Sequence, residues 1–158
     1  MFGTARTGAS QVMFRSRYAR GGKVGCLSAP RPRLNQTLTL TLFRSMISRF
    51  RAFFAFLHPF TNEETEAGTP GSRDVIVAER DLRHCIPDLY WATYFGRDYV
   101  EQFGIDPFDL AAAAIVDADD AGAYIQITPS WLDVETNFGD FHSLREATKR
   151  ALGRSHFC

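Results

Sequence analysis

The distribution of charge along the chain most constrains its organisation. Residues 1–62 contain ten Lys or Arg and no Asp or Glu, whereas residues 63–158 contain eight Lys or Arg and all eighteen acids. The formal net charge of zero therefore hides two halves of opposite sign. This asymmetry predicts two regions with different surroundings, in a chain whose 158 residues suit one domain with an extension or two very small domains.

Residues 1–35 are predicted to form a basic, partly disordered extension, because Arg and small residues are frequent and apolar periodicity is absent. Three interpretations stay open. The segment is a targeting peptide, or an arm that binds nucleic acid or anionic lipid by charge, or it has no function and translation starts later, at Met13 or Met46.

Residues 36–60 carry two apolar patterns in succession. In QTLTLTL, residues 36–42, polar and apolar side chains alternate, which predicts a half-buried strand with every Leu on one face. From Phe43 to Leu57 the apolar spacing becomes helical, and the helix is expected to stop near His58 because Pro59 follows. The face for packing or membrane contact comprises Phe43, Ile47, Phe50, Phe54 and Leu57. Flanking arginines keep three options open for this helix: packing on the following domain, a groove in a partner, or an anionic membrane surface.

Residues 61–73 are predicted to be a linker, since they are polar and contain Gly and Pro. Residues 74–158 are predicted to form a small acidic α+β domain, with a mostly antiparallel sheet and two or three helices. The strands are expected at 74–79, 89–95 and in a hairpin at 115–128. The helices are expected at 97–103 with Gly104 as its C-terminal cap, at 107–114 after Asp106, and at 143–152 with a capping box of Ser143 and Glu146.

The segment Leu89–Gly104 holds six aromatic rings in sixteen positions. A strand over 89–95 places Trp91 and Phe95 on one face, which we expect to be core, since a small domain needs large apolar side chains. The other face is the candidate partner surface, because Tyr combines an apolar ring with a polar tip. The candidate partner-binding residues are Tyr90, Tyr94, Arg97, Asp98 and Tyr99.

The residues predict neither a cofactor nor a metal site. An odd count of three cysteines, none at CxxC spacing, argues against a disulfide framework and favours a reducing compartment. The Asp cluster at 117–120 lacks the bidentate Glu of a calcium loop, so a polar hairpin turn is predicted. No catalytic motif occurs, and an acidic domain disfavours nucleic acid as its partner.

The stretch IPDLYWATYFGRDYVEQFG resembles a motif of uncharacterised bacterial proteins grouped with polymorphic-toxin immunity proteins. The similar positions are Pro87, Tyr90, Trp91, Phe95, Gly96 and Tyr99. The segments AYIQIT and LGRSHF are also similar in kind, and the resemblance covers residues 74–158 alone. It implies a protein that binds and blocks a cognate toxin without catalysis. It does not indicate which residues of this chain would bind the toxin.

The leading hypothesis is therefore a non-catalytic protein-binding module, an immunity-type inhibitor whose partner is a basic toxin or another basic protein. The first alternative is association with an anionic membrane surface through residues 43–57, and the second is an enzyme of unrecognised type. The expected location is the cytoplasm. For the first alternative, it is the periphery of a membrane.

Overall fold

The computed structural model describes residues 9–16, 24–30, 35–59, 61, 82, 84–110 and 115–158, the first two ranges as backbone strands. Of the linker predicted at 61–73, the structure describes Thr61, which is buried. The rest of that linker and the strand predicted at 74–79 lie outside the described residues. The α+β class with an antiparallel sheet is confirmed. The extension contains two strands, β1 and β2, that the sequence did not predict, and the rest of residues 1–34 lies outside the described ranges.

Six strands and five helices are described. The strands are β1 Ala9–Ser16, β2 Val24–Pro30, β3 Ala52–Pro59, β4 Ala92–Gly96, β5 Ile115–Asp119 and β6 Gly122–Gln126. The helices are α1 Gln36–Phe50, α2 Arg97–Phe103, α3 Pro107–Leu110, α4 Asp133–Thr136 and α5 Phe138–Leu152, and a 3-10 turn follows at Arg154–His156.

The sheet is antiparallel throughout, in the order β2-β1-β3-β4-β6-β5. Helix α1 covers one face, where Phe43 contacts the ring of Tyr124 on β6. Helices α2 and α5 cover the other, where Tyr99 stacks on Phe95 and Phe141 lies 6.0 Å from the ring of His58. The described residues thus form a sheet between two helical layers.

The predicted strand at 36–42 is wrong, because these residues begin α1. The side chain of Asn35 accepts a hydrogen bond from the Leu38 N–H at 3.1 Å and caps the helix. The hydroxyls of Thr39 and Thr41 donate to carbonyls one turn earlier. Leu38 and Leu42 are exposed, so the alternation of Leu and Thr does not mark a buried face.

The predicted helix 43–57 is correct only to Phe50. Arg51 adopts the left-handed conformation, with φ 46° and ψ 56°, and β3 begins at Ala52. Phe54 and Leu57, predicted on one helical stripe, are buried on opposite faces of this strand. Because helices cover both faces of the sheet, β3 carries apolar side chains on both of its faces. Such a continuous apolar stretch also contains apolar residues at helical spacing.

Strand β3 pairs with β4, so residues 52–59 belong to the same sheet as residues 92–126. A boundary at 61–73 therefore does not separate two cores. Within the second segment, β4 begins at Ala92 rather than Leu89. Helix α2 and the left-handed Gly104 at its end are confirmed.

The β5–β6 hairpin is confirmed, with the return strand starting at Gly122. The predicted capping box is wrong, since α5 starts at Phe138 and the Ser143 hydroxyl donates to the Gly139 carbonyl inside the helix.

The expectation against disulfides is also wrong, because Cys85 and Cys158 are bonded, with Cα atoms 5.2 Å apart. The fold brings together two cysteines 73 residues apart, which their spacing does not reveal.

Candidate functional site

A groove of about 640 Å³ opens between the C-terminal half of α1 and one end of the sheet. Its floor is formed by β4 and β6, one wall by α1 and the other by the β5–β6 hairpin. The start of α2 closes one end. The groove thus draws on segments from Arg44 to Tyr124 that only the folded sheet brings together.

Two tyrosines and two glycines form the floor. Tyr94 and Tyr124 are direct cross-strand partners, so their rings lie side by side on the face that α1 covers. Gly96 and Gly122 are the next cross-strand pair. A Cβ on Gly96 would lie 2.5 Å from the Ala52 carbonyl oxygen, and one on Gly122 would overlap the Phe95 carbonyl. The absence of side chains here lets the strands approach closely.

The wall from α1 carries positive charge. Arg44 Nη1 donates to Asp117 Oδ2 at 2.8 Å, and its guanidinium lies 4.2 Å from the centroid of the Tyr124 ring. Arg51, at the end of the helix, is exposed and lines the same groove. Its left-handed backbone ends the helix.

The opposite wall carries negative charge. Asp117, Asp119 and Asp120 are all exposed along the hairpin. Asp119 Oδ1 accepts hydrogen bonds from the N–H groups of Ala121 at 2.8 Å and Gly122 at 3.2 Å, which fixes the turn. The Tyr94 hydroxyl donates to the Ala121 carbonyl at 2.8 Å and ties the turn to the floor. The carboxylates are thus presented on a braced hairpin.

The start of α2 adds one residue of each charge, Arg97 and Asp98. Arg97 Nε donates to Glu101 at 2.8 Å, and this hydrogen bond raises the pKa of Arg97. The Arg97 N–H donates to the Ala121 carbonyl, so the helix start is joined to the hairpin.

The two phenols on the floor are not bases at neutral pH. Burial raises the pKa of Tyr124 to about 12. Burial and the nearby Asp119 carboxylate also raise the pKa of Tyr94. Both hydroxyls therefore stay protonated and act as hydrogen-bond donors. The described lining includes no His, Cys or Lys, so it holds no nucleophile paired with a His base.

Three of the five residues predicted to bind a partner line the groove, namely Tyr94, Arg97 and Asp98. The other two are core, which corrects the predicted tyrosine face. Tyr90 stacks on Phe56 at 3.7 Å, and Tyr99 is fully buried against Phe95. Tyr90 precedes β4 and packs against β3, and Tyr99 lies on α2 and faces the sheet, so neither side chain is available to a partner.

The predicted packing or membrane face separates into three environments. Phe43 and Ile47 are buried on α1, and Phe54 and Leu57 are buried on β3. Phe50 is 46% exposed at the end of α1. These residues therefore do not form one surface that a membrane or a partner can contact.

Sequence reasoning missed Arg44, Arg51 and Tyr124 as site residues and considered the aspartates of DADDAG only as calcium ligands. A signal for the aspartates was present, since a hairpin turn is exposed and carries its charges to solvent. The arginines were considered only as flanks of the predicted helix 43–57, because their position over the sheet depends on where α1 ends.

Within the described ranges, no group of three or more His, Cys, Asp and Glu side chains is placed to hold a metal ion. None of the helices described has both the length and the apolar character needed to cross a bilayer. No protein-family model, curated protein or solved structure matches the chain.

Proposed function

We propose that this chain is a non-catalytic protein-binding module whose binding site is the groove. The observation that carries the proposal is the exposed row of Asp117, Asp119 and Asp120 on a hairpin braced against the groove floor. A rigid hairpin presents these charges without the entropy cost of ordering a loop on binding.

The charge of the hairpin wall of the groove favours a basic partner. Asp117 binds the guanidinium of Arg44 at 2.8 Å while the same guanidinium lies over Tyr124, so this wall and floor already hold one cation of the chain itself. Asp119 and Asp120 extend the acidic row beyond that internal pair. Acidic side chains at the rim raise the association rate with a positively charged partner more than the final affinity.

The more specific proposal is that the partner is a basic toxin and that the chain is an immunity-type inhibitor. Its support is the resemblance of residues 74–158 to such proteins, together with the acidic excess after residue 62. An inhibitor of this kind acts by covering its partner, which agrees with a described groove lining that lacks a nucleophile–base pair.

The test uses a short arginine-rich peptide as the probe and follows the backbone amide signals of the labelled full chain by NMR. We expect the peptide to shift the amides of residues 115–124 and of Arg97 and Asp98. Asp120→Lys should reduce the affinity several-fold and make the remaining affinity less sensitive to added salt, because one attractive charge contact is lost.

Asp109→Lys is the matched control, because Asp109 is also exposed but lies on α3 outside the groove lining. It changes the net charge equally and should leave the affinity near that of the parent chain. Equal losses in both variants, or shifts scattered over the whole surface, would mean that net charge alone attracts the peptide. Toxin neutralisation is tested by co-expression with a basic toxin, where Asp120→Lys should weaken protection and Asp109→Lys should not.

A second candidate function is association with an anionic membrane through the outer face of α1. Leu38 is 70% and Leu42 51% exposed, and these residues lie one turn apart on the side away from the sheet. Arg49 is exposed on the same side two turns later. This face combines apolar side chains with a cation, as interfacial helices do.

Co-sedimentation with vesicles containing anionic lipid tests this second candidate. The double variant Leu38→Ser/Leu42→Ser should lose binding, whereas Ile115→Ser, which removes a 45% exposed apolar side chain from β5, should retain it. Binding that survives the double variant would contradict a role for α1 at the membrane.

A further inference from the structure

The C-terminal tail is fastened to the segment that precedes β4. A disulfide joins Cys158 to Cys85. The Ile86 N–H donates to the His156 carbonyl at 2.6 Å, and the Cys158 N–H donates to the Ile86 carbonyl at 3.1 Å. Ile86 and Phe157 thus form an isolated parallel bridge, so the last residues pair beside the main sheet instead of extending into solvent.

This tail covers apolar surface. Ile86 is fully buried, and Phe157 packs against the core with the Lys149 ammonium 5.5 Å from its ring centroid. The His156 ring meets Phe103 of α2 edge-on at 5.6 Å. Release of the tail would therefore uncover Ile86 and one side of α2.

The disulfide is also coupled to α2 by a hydrogen bond. The Tyr99 hydroxyl donates to the carbonyl of Cys85 at 3.0 Å. Tyr99 stacks on Phe95 of β4 and follows directly after Arg97 and Asp98, which close one end of the groove. The position of Cys85 is thus linked through one side chain to the helix that lines the groove.

We propose that Cys85 and Cys158 form a redox latch, which holds the C-terminal tail when oxidised and releases it when reduced. Without the disulfide, this segment is held by two backbone hydrogen bonds to Ile86 and by the ring contacts of His156 and Phe157. The bond also lies within reach of a reductant, since Cys158 is exposed and Cys85 is half-buried. An oxidising compartment keeps the latch closed, and a reducing cytoplasm opens it.

A dithiol can reduce the Cys85–Cys158 bond in two steps of thiol–disulfide exchange. One thiolate of the dithiol attacks a sulfur of the pair, and the other sulfur leaves as a thiolate that takes up a proton. The second thiol of the reductant then displaces the first sulfur of the protein. Two electrons and two protons pass to the chain, which ends with two thiols, and the reductant ends as a disulfide.

Hydrogen exchange on the full chain tests the latch, with the air-oxidised protein compared with the same protein in dithiothreitol. On reduction, we expect the protection of amides in residues 84–86, 97–103 and 154–158 to fall by about tenfold or more. The amides of β6 should keep their protection. This measurement contains no partner, so its failure is distinct from a failure of the proposed binding function.

Cys158→Ser should reproduce the reduced pattern without a reductant, and Cys26→Ser is the matched control that leaves the bonded pair intact. Mass spectrometry of the oxidised protein should find the cross-link between the peptides that carry Cys85 and Cys158. The proposal is overturned if that cross-link is absent, or if reduction leaves the tail as protected as before. Uniform loss of protection over the whole sheet would also overturn it, because the disulfide would then stabilise the entire fold and not hold the tail alone.

Discussion

Arg44 and Asp117, 73 residues apart, form an ion pair of 2.8 Å that joins helix α1 to the edge strand β5. The same guanidinium lies over the Tyr124 ring. This single side chain therefore connects the positive wall, the negative wall and the floor of the groove.

Removal of this ion pair should cost little stability. The side chains of Arg44 and Asp117 are 49% and 62% exposed, so Asp117→Asn should lower the free energy of unfolding by at most about 1 kcal/mol. Arg44→Ala should cost about 0.5–1 kcal/mol more, because it also removes the contact with Tyr124. Urea unfolding of both variants and the double variant gives the coupling energy. A coupling that does not shrink with added salt would contradict a solvent-exposed ion pair.

The paired glycines of the floor should tolerate no side chain. Gly122→Ala places a methyl group into the Phe95 carbonyl at φ +155°, and Gly96→Ala places one 2.5 Å from the Ala52 carbonyl. Each should lower the free energy of unfolding by more than about 3 kcal/mol, since both obstacles are backbone atoms of the sheet. Gly139→Ala is the control, because it lies on α5 with no atom within 4 Å and should be neutral or stabilising. Thermal unfolding ranks the three variants.

The left-handed Arg51 should be replaceable by Gly with a gain in stability. Its backbone lies in the conformation that helix ends most often give to Gly, and its N–H donates to the carbonyls of Ile47 and Ser48. Arg51→Gly should raise the free energy of unfolding by about 0.5–1 kcal/mol. Arg51→Ala keeps a side chain in the unfavourable conformation and should not raise the free energy of unfolding. If both variants change stability equally, the side chain and not the backbone conformation determines the effect.

The buried phenols should make the protein lose stability in alkali. Burial raises the pKa of Tyr124 from 10.0 to about 12, and the pKa values of Tyr94 and Tyr99 are also raised by burial. The folded state therefore holds these protons more tightly than the unfolded state. This contribution is fully present below pH 10 and is lost as the pH rises towards about 12. Urea unfolding measured across this range should show a falling free energy, and Tyr124→Phe should make the fall shallower. An unchanged slope would contradict the burial of this hydroxyl.

Phe54 and Phe50 distinguish the observed strand from the helix that their spacing predicts. Phe54→Ala should cost about 3–5 kcal/mol, because the ring is buried among Phe56, Phe95 and Tyr99. Phe50→Ala should cost less than about 1 kcal/mol, because nearly half of that side chain is exposed. Chemical denaturation measures both, and similar costs would support a continuous helical stripe instead.

Several elements could be predicted from local patterns alone. Helix α2 with Gly104 at its end, and the β5–β6 hairpin around DADDAG, depend on capping and turn residues that act over a few positions. The burial of Trp91 and Phe95 was also predictable, because a small domain needs its largest apolar side chains inside. Sequence therefore determined the α+β class and these local elements.

Tertiary structure decided the rest, because the same local pattern has different outcomes in different surroundings. Residues 52–57 are apolar at helical spacing, but strand pairing with β4 and helical cover on both faces make them a central strand. The tyrosines of the aromatic stretch became core or floor once α1 and α2 covered the sheet. The groove and the Cys85–Cys158 bond join residues far apart in the chain, and pairing at that distance follows from packing, which no local spacing encodes.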